Sequence, residues 1–170
     1  ATFTPNFDTN ALDVEFTTID GAPVYYSLDG TEPNESSLRY DHKISIREDA
    51  ELKAIAIREG VRSKLFSETI RMSESSYKPI ELLTSPAPNY SYSGSGMLVD
   101  GLQGNNTNYR TGRWIGFQAE DLEAMIDMLQ PTEVSTLEIR NAVVTGDWIF
   151  DASEILLESS EDGKTFNRIV

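Results

Sequence analysis

The chain contains no cysteine and a single histidine, His42, among its 170 residues. Without cysteine there can be no disulfide framework and no thiolate metal site. His42 has no second histidine or cysteine to complete a metal site, a triad or a dyad. Carboxylates are numerous, but none lies in a recognisable acid–base context for glycoside hydrolysis. The sequence therefore predicts that this chain is not itself an enzyme.

Basic residues are also scarce, with 14 lysines and arginines against 28 acids and a net charge of -14. This charge would repel a polyphosphate, so we expect no nucleic-acid partner. No run of about 18 apolar residues is present, so we expect no membrane insertion. The polar stretch after Ala1 does not resemble a signal peptide, and the chain reads as a piece of a longer protein.

The first half, residues 1–73, has the pattern of short β-strands. Apolar and polar residues alternate from Leu12 to Thr18, which is typical of a strand with one buried face. The segment from Leu52 to Ile57 is apolar on both faces and is predicted to be a central strand. Because turn signals such as Asp29-Gly30 recur every 8–12 residues, the pattern favours a small β-sandwich.

One segment of this half carries a family resemblance. Residues 24–33 read V-Y-Y-S-L-D-G-T-E-P. This resembles the signature of the immunoglobulin-like module at the end of bacterial chitobiases and β-hexosaminidases. The resemblance implies an accessory module of an exported glycoside hydrolase, with the catalytic barrel elsewhere in the parent protein. Asp29 and Glu32 are predicted to be structural, because Asp, Gly and Pro in this order suit a turn.

A polar segment, residues 74–78, is predicted to link this module to a second one at residues 79–170. Four pieces of the second half resemble the discoidin or coagulation factor 5/8 type C domain: Val99 to Gly101, Arg113 to Gly116, Ile126 to Met128, and Ile155 with Ser160 to Phe166. This family of galactose-binding-like jelly rolls includes the family thirty-two carbohydrate-binding modules. The resemblance implies an all-β chain: an immunoglobulin-like sandwich followed by a jelly roll truncated at its C-terminus.

The segment from Gln118 to Gln130 is ambiguous. Its residue types favour a helix, whereas the resemblance makes Glu123 to Leu129 a strand, which is the interpretation adopted. Further strands are expected at Trp114, from Val134 to Ile139 and from Ile155 to Leu157. An Asp-Gly hairpin turn is expected at residues 160–164.

In discoidin-like domains, ligands meet loops at one end of the barrel. The corresponding loops here are residues 86–96, 103–113 and 141–151, and they combine aromatic and planar polar side chains. Such a mixture suits sugars, because rings cover the apolar C–H face while amides, guanidinium groups and carboxylates bind hydroxyls. The predicted glycan-binding residues are Tyr90, Tyr92, Asn105, Asn106, Tyr109, Arg110, Asp147 and Trp148. Any single tyrosine could equally pack under its loop, and Trp148 could equally belong to the core. Trp114 is read as a core residue.

A structural calcium ion is a further possibility, with Asp100, Asn105 and Thr107 offering the hard oxygen ligands that calcium prefers.

Taken together, the two resemblances predict glycan binding beside a catalytic domain, in the periplasm, on the outer surface or outside the cell. The expected ligand is a glycan of the N-acetylhexosamine or galactose type. A structural or adhesive spacer that binds no sugar is the alternative, and hydrolase activity in this chain is a weaker third hypothesis.

Overall fold

The computed structural model describes residues 1–105 and 108–169, and their regular structure is all-β apart from four short 3-10 helices. The strands are β1 (Thr2–Asn6), β2 (Ala11–Glu15), β3 (Val24–Ser27), β4 (Leu38–Arg39), β5 (Ile44–Ile46), β6 (Ala50–Arg58), β7 (Val61–Arg62), β8 (Phe66–Ile70), β9 (Ile80–Leu82), β10 (Ala124–Ile126), β11 (Glu158–Ser159) and β12 (Asn167–Arg168). The 3-10 helices cover Pro88–Tyr90, Ser95–Leu98, Tyr109–Thr111 and Thr145–Asp147.

The first eight strands form two antiparallel sheets. The smaller sheet has the order β1-β2-β5, and the larger one has the order β4-β3-β6-β7, with β8 also paired to β6. The long strand β6 is central, as its two apolar faces predicted, because β3 and β8 both pair along it. The predicted strands around Leu12 and Leu52 are confirmed.

The core of the sandwich lies between these two sheets. Leu12, Val14 and Ile46 come from the smaller sheet and pack in one cluster with Leu52 and Ile70 of the larger sheet. Leu12, Leu52 and Ile70 are each 0% exposed. Complete burial of one such side chain contributes about 1.5–3 kcal/mol, so this cluster supplies much of the stability of the first half.

The turn after β3 behaves as its residues predicted. The Asp29 carboxylate accepts two hydrogen bonds from Thr31, one from the backbone amide at 3.0 Å and one from the side-chain hydroxyl at 2.7 Å. The bond from the Thr31 hydroxyl is the main reason why the pKa of Asp29 is lowered. Gly30 has φ of +81°, where other residues are strained, and its amide donates to the carbonyl of Glu51. The Asp29 carboxylate therefore serves the fold.

The second half contains much less regular structure. Its described residues form two antiparallel ribbons, β9 with β10 and β11 with β12. The ambiguous segment forms the strand Ala124–Ile126 rather than a helix, and Gly163 turns the predicted hairpin with φ of +67°. The expected strands at Trp114, at 134–139 and at 155–157 are absent, because an isolated strand is not stable without a paired neighbour.

The segment predicted to be a polar linker is partly buried. Tyr77 is 3% exposed, and its ring packs edge-on against Phe7 with the centroids 5.7 Å apart. Its hydroxyl donates to the carbonyl of Asp100 at 2.8 Å, and its amide donates to the carbonyl of Val99 at 2.9 Å. Tyr77 therefore connects the sandwich core to the second half.

Asp13 is predicted to make the stability of the fold depend on pH. Its carboxylate is buried in β2 and is held by Lys43, whose ammonium group lies 2.8 Å away, and then by Ser45 and Asn6. These bonds, that of Lys43 first, lower the pKa of Asp13 to about 2. A lowered carboxyl pKa stabilises the folded state above the ordinary value near 4, and this stabilisation is lost as the pH falls towards 2.

We expect Asp13→Asn to make urea unfolding midpoints less dependent on pH between 4 and 2. The contribution removed is on the order of 1–2 kcal/mol, because solvent screens the half-exposed Lys43. Asp8→Asn, at an exposed position in the turn between β1 and β2, is the control and should keep the wild-type dependence. An unchanged pH dependence in Asp13→Asn would contradict this account.

Candidate functional site

Tyr109 is the centre of the predicted binding loops. Tyr109 begins the 3-10 turn Tyr109–Thr111. Before it, Oδ1 of Asn108 accepts a hydrogen bond from the backbone amide of Arg110 at 3.1 Å. The ring of Tyr109 is only 8% exposed, and its hydroxyl donates to Oδ2 of Asp147 at 2.8 Å. This bond is the main reason why the pKa of Tyr109 is raised. One hydrogen bond thus joins the 103–113 loop to the 141–151 loop.

Arg110 adds a positive charge to the same oxygen. Its Nε and Nη2 atoms donate to the Tyr109 hydroxyl oxygen at 3.2 and 3.0 Å, and its Cζ lies 5.2 Å from the ring centroid. The phenol therefore accepts from Arg110 and donates to Asp147. Both charged side chains are exposed, so one buried ring positions an exposed cation and an exposed anion.

Two further tyrosines lie beside this group. The Tyr90 and Tyr109 rings meet edge-on, with centroids 6.3 Å apart, and Tyr90 is 37% exposed. Tyr92 is 46% exposed and lies next to the backbone of Gly112, because a Cβ built there would be 3.7 Å from its ring. The tyrosine buried under a loop is therefore Tyr109, whereas Tyr90 and Tyr92 reach solvent.

Trp148 is the most exposed of these aromatic residues, at 83%. It follows Asp147 directly, in a left-handed conformation with φ of +61°. Its ring meets Phe150 edge-on at 6.2 Å. A large side chain is rarely found in this backbone region. Of the two interpretations of Trp148, the structure favours the solvent-exposed one.

Trp114 has a different environment. It is neither fully buried nor part of a strand, and its Nε1 donates to the carbonyl of Asn105 at 3.0 Å. Its ring lies against Gly104, where an added Cβ would be 2.3 Å from the indole. Glycine is required at position 104 for this approach. Trp114 therefore contacts the backbone of the loop at Gly104 and Asn105, and it is not the core strand residue that was expected.

The predicted site residues are only partly brought together. The contacts above join Tyr90, Tyr109, Arg110 and Asp147. Tyr92 lies against Gly112, and Trp148 follows Asp147 in sequence. The group called here the aromatic surface consists of Tyr90, Tyr92, Tyr109, Arg110, Asp147 and Trp148. Asn105 is exposed and its carbonyl holds Trp114. Asn106 lies outside the described residues. A groove of about 650 Å³ lies instead on the first half near Asp29 and Asp49, and none of the predicted site residues lines it.

Asp100, the carboxylate of the predicted calcium site, is 8% exposed. Its Oδ1 accepts the amide of Leu102 at 2.8 Å, and burial raises the pKa of its carboxyl to about 6. A carboxylate and the Asn105 amide are oxygen donors of the kind calcium takes. The third residue, Thr107, lies outside the described residues. Within the described chain, no cluster of three or more His, Cys, Asp or Glu side chains could hold a metal.

Sequence reasoning missed the side chains that support this surface from the first half. Arg113 bonds Glu68 at 2.7 Å, although 45 residues separate them in the chain. Tyr77 was assigned to a linker although it is nearly fully buried. An aromatic residue inside an otherwise polar linker was the only local signal for burial. Nothing near Arg113 in sequence indicates its partner.

Comparison with known families concerns the first half of the chain. A family model described as the chitobiase/beta-hexosaminidase C-terminal domain matches residues 6–69. The match covers the sandwich and confirms the resemblance drawn from residues 24–33. Such a domain is a non-catalytic region of the enzymes after which it is described. No curated protein matches the chain. Within the described residues, no helix has the length and apolar character needed to cross a membrane.

The bond between Tyr109 and Asp147 can be tested by a double-mutant cycle. Tyr109→Phe and Asp147→Ala each remove it, so each should lower the melting temperature by about 2–4 °C, the scale for one ordinary hydrogen bond in a chain of this size. The double variant should lose little more than either single variant. In the control cycle, Tyr92→Phe and Asp147→Ala should be additive. Additivity in the Tyr109 cycle would show that the bond contributes nothing.

Proposed function

We propose that this chain is a non-catalytic accessory region of an exported glycoside hydrolase of the β-N-acetylhexosaminidase or chitobiase type, and that the aromatic surface binds glycan. The observation that carries the proposal is the Arg110–Tyr109–Asp147 chain of hydrogen bonds, together with the exposed Trp148 that follows Asp147 in sequence. The family match over residues 6–69 supports the parent enzyme class.

The chemistry of the surface suits a sugar. Arg110 uses Nε and Nη2 on Tyr109, and its Nη1 has no partner within the described chain, so it can donate to a ligand hydroxyl or acetamido oxygen. The Asp147 carboxylate has a second oxygen that can accept from a hydroxyl. Trp148 and Tyr92 offer exposed rings for the C–H face of a pyranose. The proposed ligand is a glycan of the N-acetylhexosamine or galactose type, as the two family resemblances imply.

Binding of this kind would act through tethering. A surface that holds one part of a glycan raises the effective concentration of the remainder at a catalytic domain in the same protein, without chemistry of its own. The proposed partner is therefore the catalytic domain of the parent chain. The proposed location is outside the cytoplasm, in the periplasm, on the outer surface or in the medium, where polymeric glycans are met.

A spacer without sugar binding is the second candidate function. It is favoured by the contacts between the two halves, where Tyr77 is buried and Arg113 bonds Glu68. A firm junction suits a segment that only positions a neighbouring domain. The two functions are separated by direct titration of the chain with D-galactose, N-acetyl-D-glucosamine and N-acetyl-D-galactosamine, because a spacer binds none of them.

Arg110→Ala tests the proposed glycan site. We expect it to weaken binding of the best of these three sugars by about tenfold to a hundredfold, the effect of losing a hydrogen bond from a charged donor. The melting temperature should change by less than about 2 °C, because the side chain is exposed. Calorimetric titration measures the affinity.

The control for this experiment is Arg168→Ala. Arg168 is exposed like Arg110, but it lies in β12 and pairs with Glu154 at 3.4 Å. This variant should bind as the wild type does. A large fall in melting temperature for Arg110→Ala with unchanged affinity would place the site elsewhere and make Arg110 a structural residue.

Calcium is proposed as a structural ion beside this surface, with Asp100, Asn105 and Thr107 as its side-chain ligands. The supporting observation is the burial of Asp100, which is 8% exposed. Burial raises the pKa of its carboxyl to about 6, although the Leu102 amide and the charge of Arg113 both favour the ionised form. A divalent cation would stabilise the ionised form further. The ion would serve to hold the start of the loop and takes part in no chemistry.

Calcium is expected to raise the melting temperature of the wild-type chain at neutral pH. A ligand present at about 100 times its dissociation constant stabilises by about 2.7 kcal/mol. Asp100→Asn should abolish the increase, since its Oδ1 can still accept the Leu102 amide but the charge is gone. Asp162→Asn, in the distant hairpin turn, is the control and should retain it. An equal increase in Asp100→Asn would remove Asp100 from the site.

A further inference from the structure

We infer that Arg113 is a positioning residue for the aromatic surface, and that the first half of the chain is thereby part of the binding apparatus. This inference rests on the proposed function, because it concerns the same surface. Arg113 lies two residues after the turn that carries Tyr109 and Arg110. Its own side chain points away from that turn and contacts the first half.

Three contacts fix the Arg113 guanidinium. Nη1 lies 2.7 Å from Oε1 of Glu68 in β8 and 3.5 Å from the carbonyl of Gln103. Cζ lies 5.2 Å from the ring centroid of Phe3 in β1. One side chain therefore contacts strands of both sheets as well as the beginning of its own loop.

The environment of this ion pair distinguishes it from the others. The side chains of Arg113 and Glu68 are 27% and 17% exposed, whereas in every other ion pair of the described chain at least one partner is more than 40% exposed. Solvent screens an ion pair less as it becomes buried. Arg113 and Glu68 therefore hold a defined geometry more firmly than a surface pair does.

The beginning of the same loop is also attached to the first half. The amide of Arg71 donates to the carbonyl of Gly101 at 3.0 Å, and Ile70 forms a β-bridge with Leu102. Tyr77 holds the carbonyl of Asp100. The loop is therefore fixed at both ends: its first residues bond to the end of β8, and Arg113 at its last position contacts Glu68 and Phe3. This restricts the positions that Tyr109 and Arg110 can take.

The test uses full-length Arg113→Ala and Glu68→Gln variants, with hydrogen exchange and sugar titration measured well below their melting temperatures. We expect amides at residues 101–105 and 108–113 to exchange at least about tenfold faster in Arg113→Ala, with the core of the sandwich unchanged. We expect weaker binding of whichever of the three sugars the wild-type chain binds, by about fivefold or more. Glu68→Gln should change both quantities in the same direction by a smaller factor.

Two further variants separate positioning from general stability. Arg113→Lys keeps the charge near Glu68 but loses the planar group over Phe3, so it should restore only part of the protection and the affinity. Arg58→Ala breaks an exposed ion pair with Asp20 and should alter neither quantity. Should Arg113→Ala fail to fold, Glu68→Gln and Arg113→Lys carry the test.

Unchanged exchange in the loop of these variants would overturn the inference, as would a lower melting temperature with normal exchange in the loop. The proposed function can fail separately. If the wild-type chain binds none of the three sugars, glycan binding by this surface is refuted, while the exchange measurements still decide whether Arg113 fixes the loop.

Discussion

Burial of Tyr77 between the two halves is the contact on which the second half depends. Beyond residue 78, only Val99, Asp100 and Tyr109 are buried within the described chain, and the first two lie directly against Tyr77 or its backbone. A folded segment needs apolar burial to offset its loss of conformational entropy. The second half therefore takes much of its order from the sandwich, and its binding loops are organised outward from this junction.

The two buried carboxylates, Asp13 and Asp100, lie in opposite electrostatic environments. Asp13 is surrounded by Lys43, Ser45 and Asn6, which favour its ionised form. At Asp100, burial outweighs the backbone bonds and the charge of Arg113, and the pKa of its carboxyl is raised to about 6. The first arrangement is complete within the protein. The second leaves a carboxylate whose charge is poorly compensated, in the loop that leads to the aromatic surface.

The sandwich was readable from sequence because its strands are long enough to show alternation and because β6 is apolar on both faces. The strands β4 and β7 were missed because two residues carry no periodic signal. The strand β1 was missed because Phe3 is its only large apolar side chain. In the second half, the apolar runs near Val134 and Ile155 predicted strands that have no partner in the structure. Strand formation depends on a neighbour that local pattern cannot reveal.

The candidate site was predictable in its residue types and not in its connections. Aromatic and amide-rich loops indicated Tyr90, Tyr109 and Arg110, but the bond from Tyr109 to Asp147 spans 38 residues. The ion pair between Arg113 and Glu68 joins residues that are 45 positions apart in the chain. Contacts at such separations are set by the fold, so sequence reasoning named Tyr109 and Asp147 without the bond between them, and missed the support that Glu68 gives to Arg113.

The left-handed backbone at Trp148 lowers local stability, while the exposed side chain of this residue is available for contacts outside the protein. A non-glycine residue in this conformation costs about 1–3 kcal/mol, and glycine would remove that cost at once. Yet glycine would also remove an indole that is 83% exposed and adds little to the core. If selection acted on folding alone, this position would drift toward glycine or asparagine. A tryptophan retained in related chains would therefore mark selection for what its ring touches outside the protein.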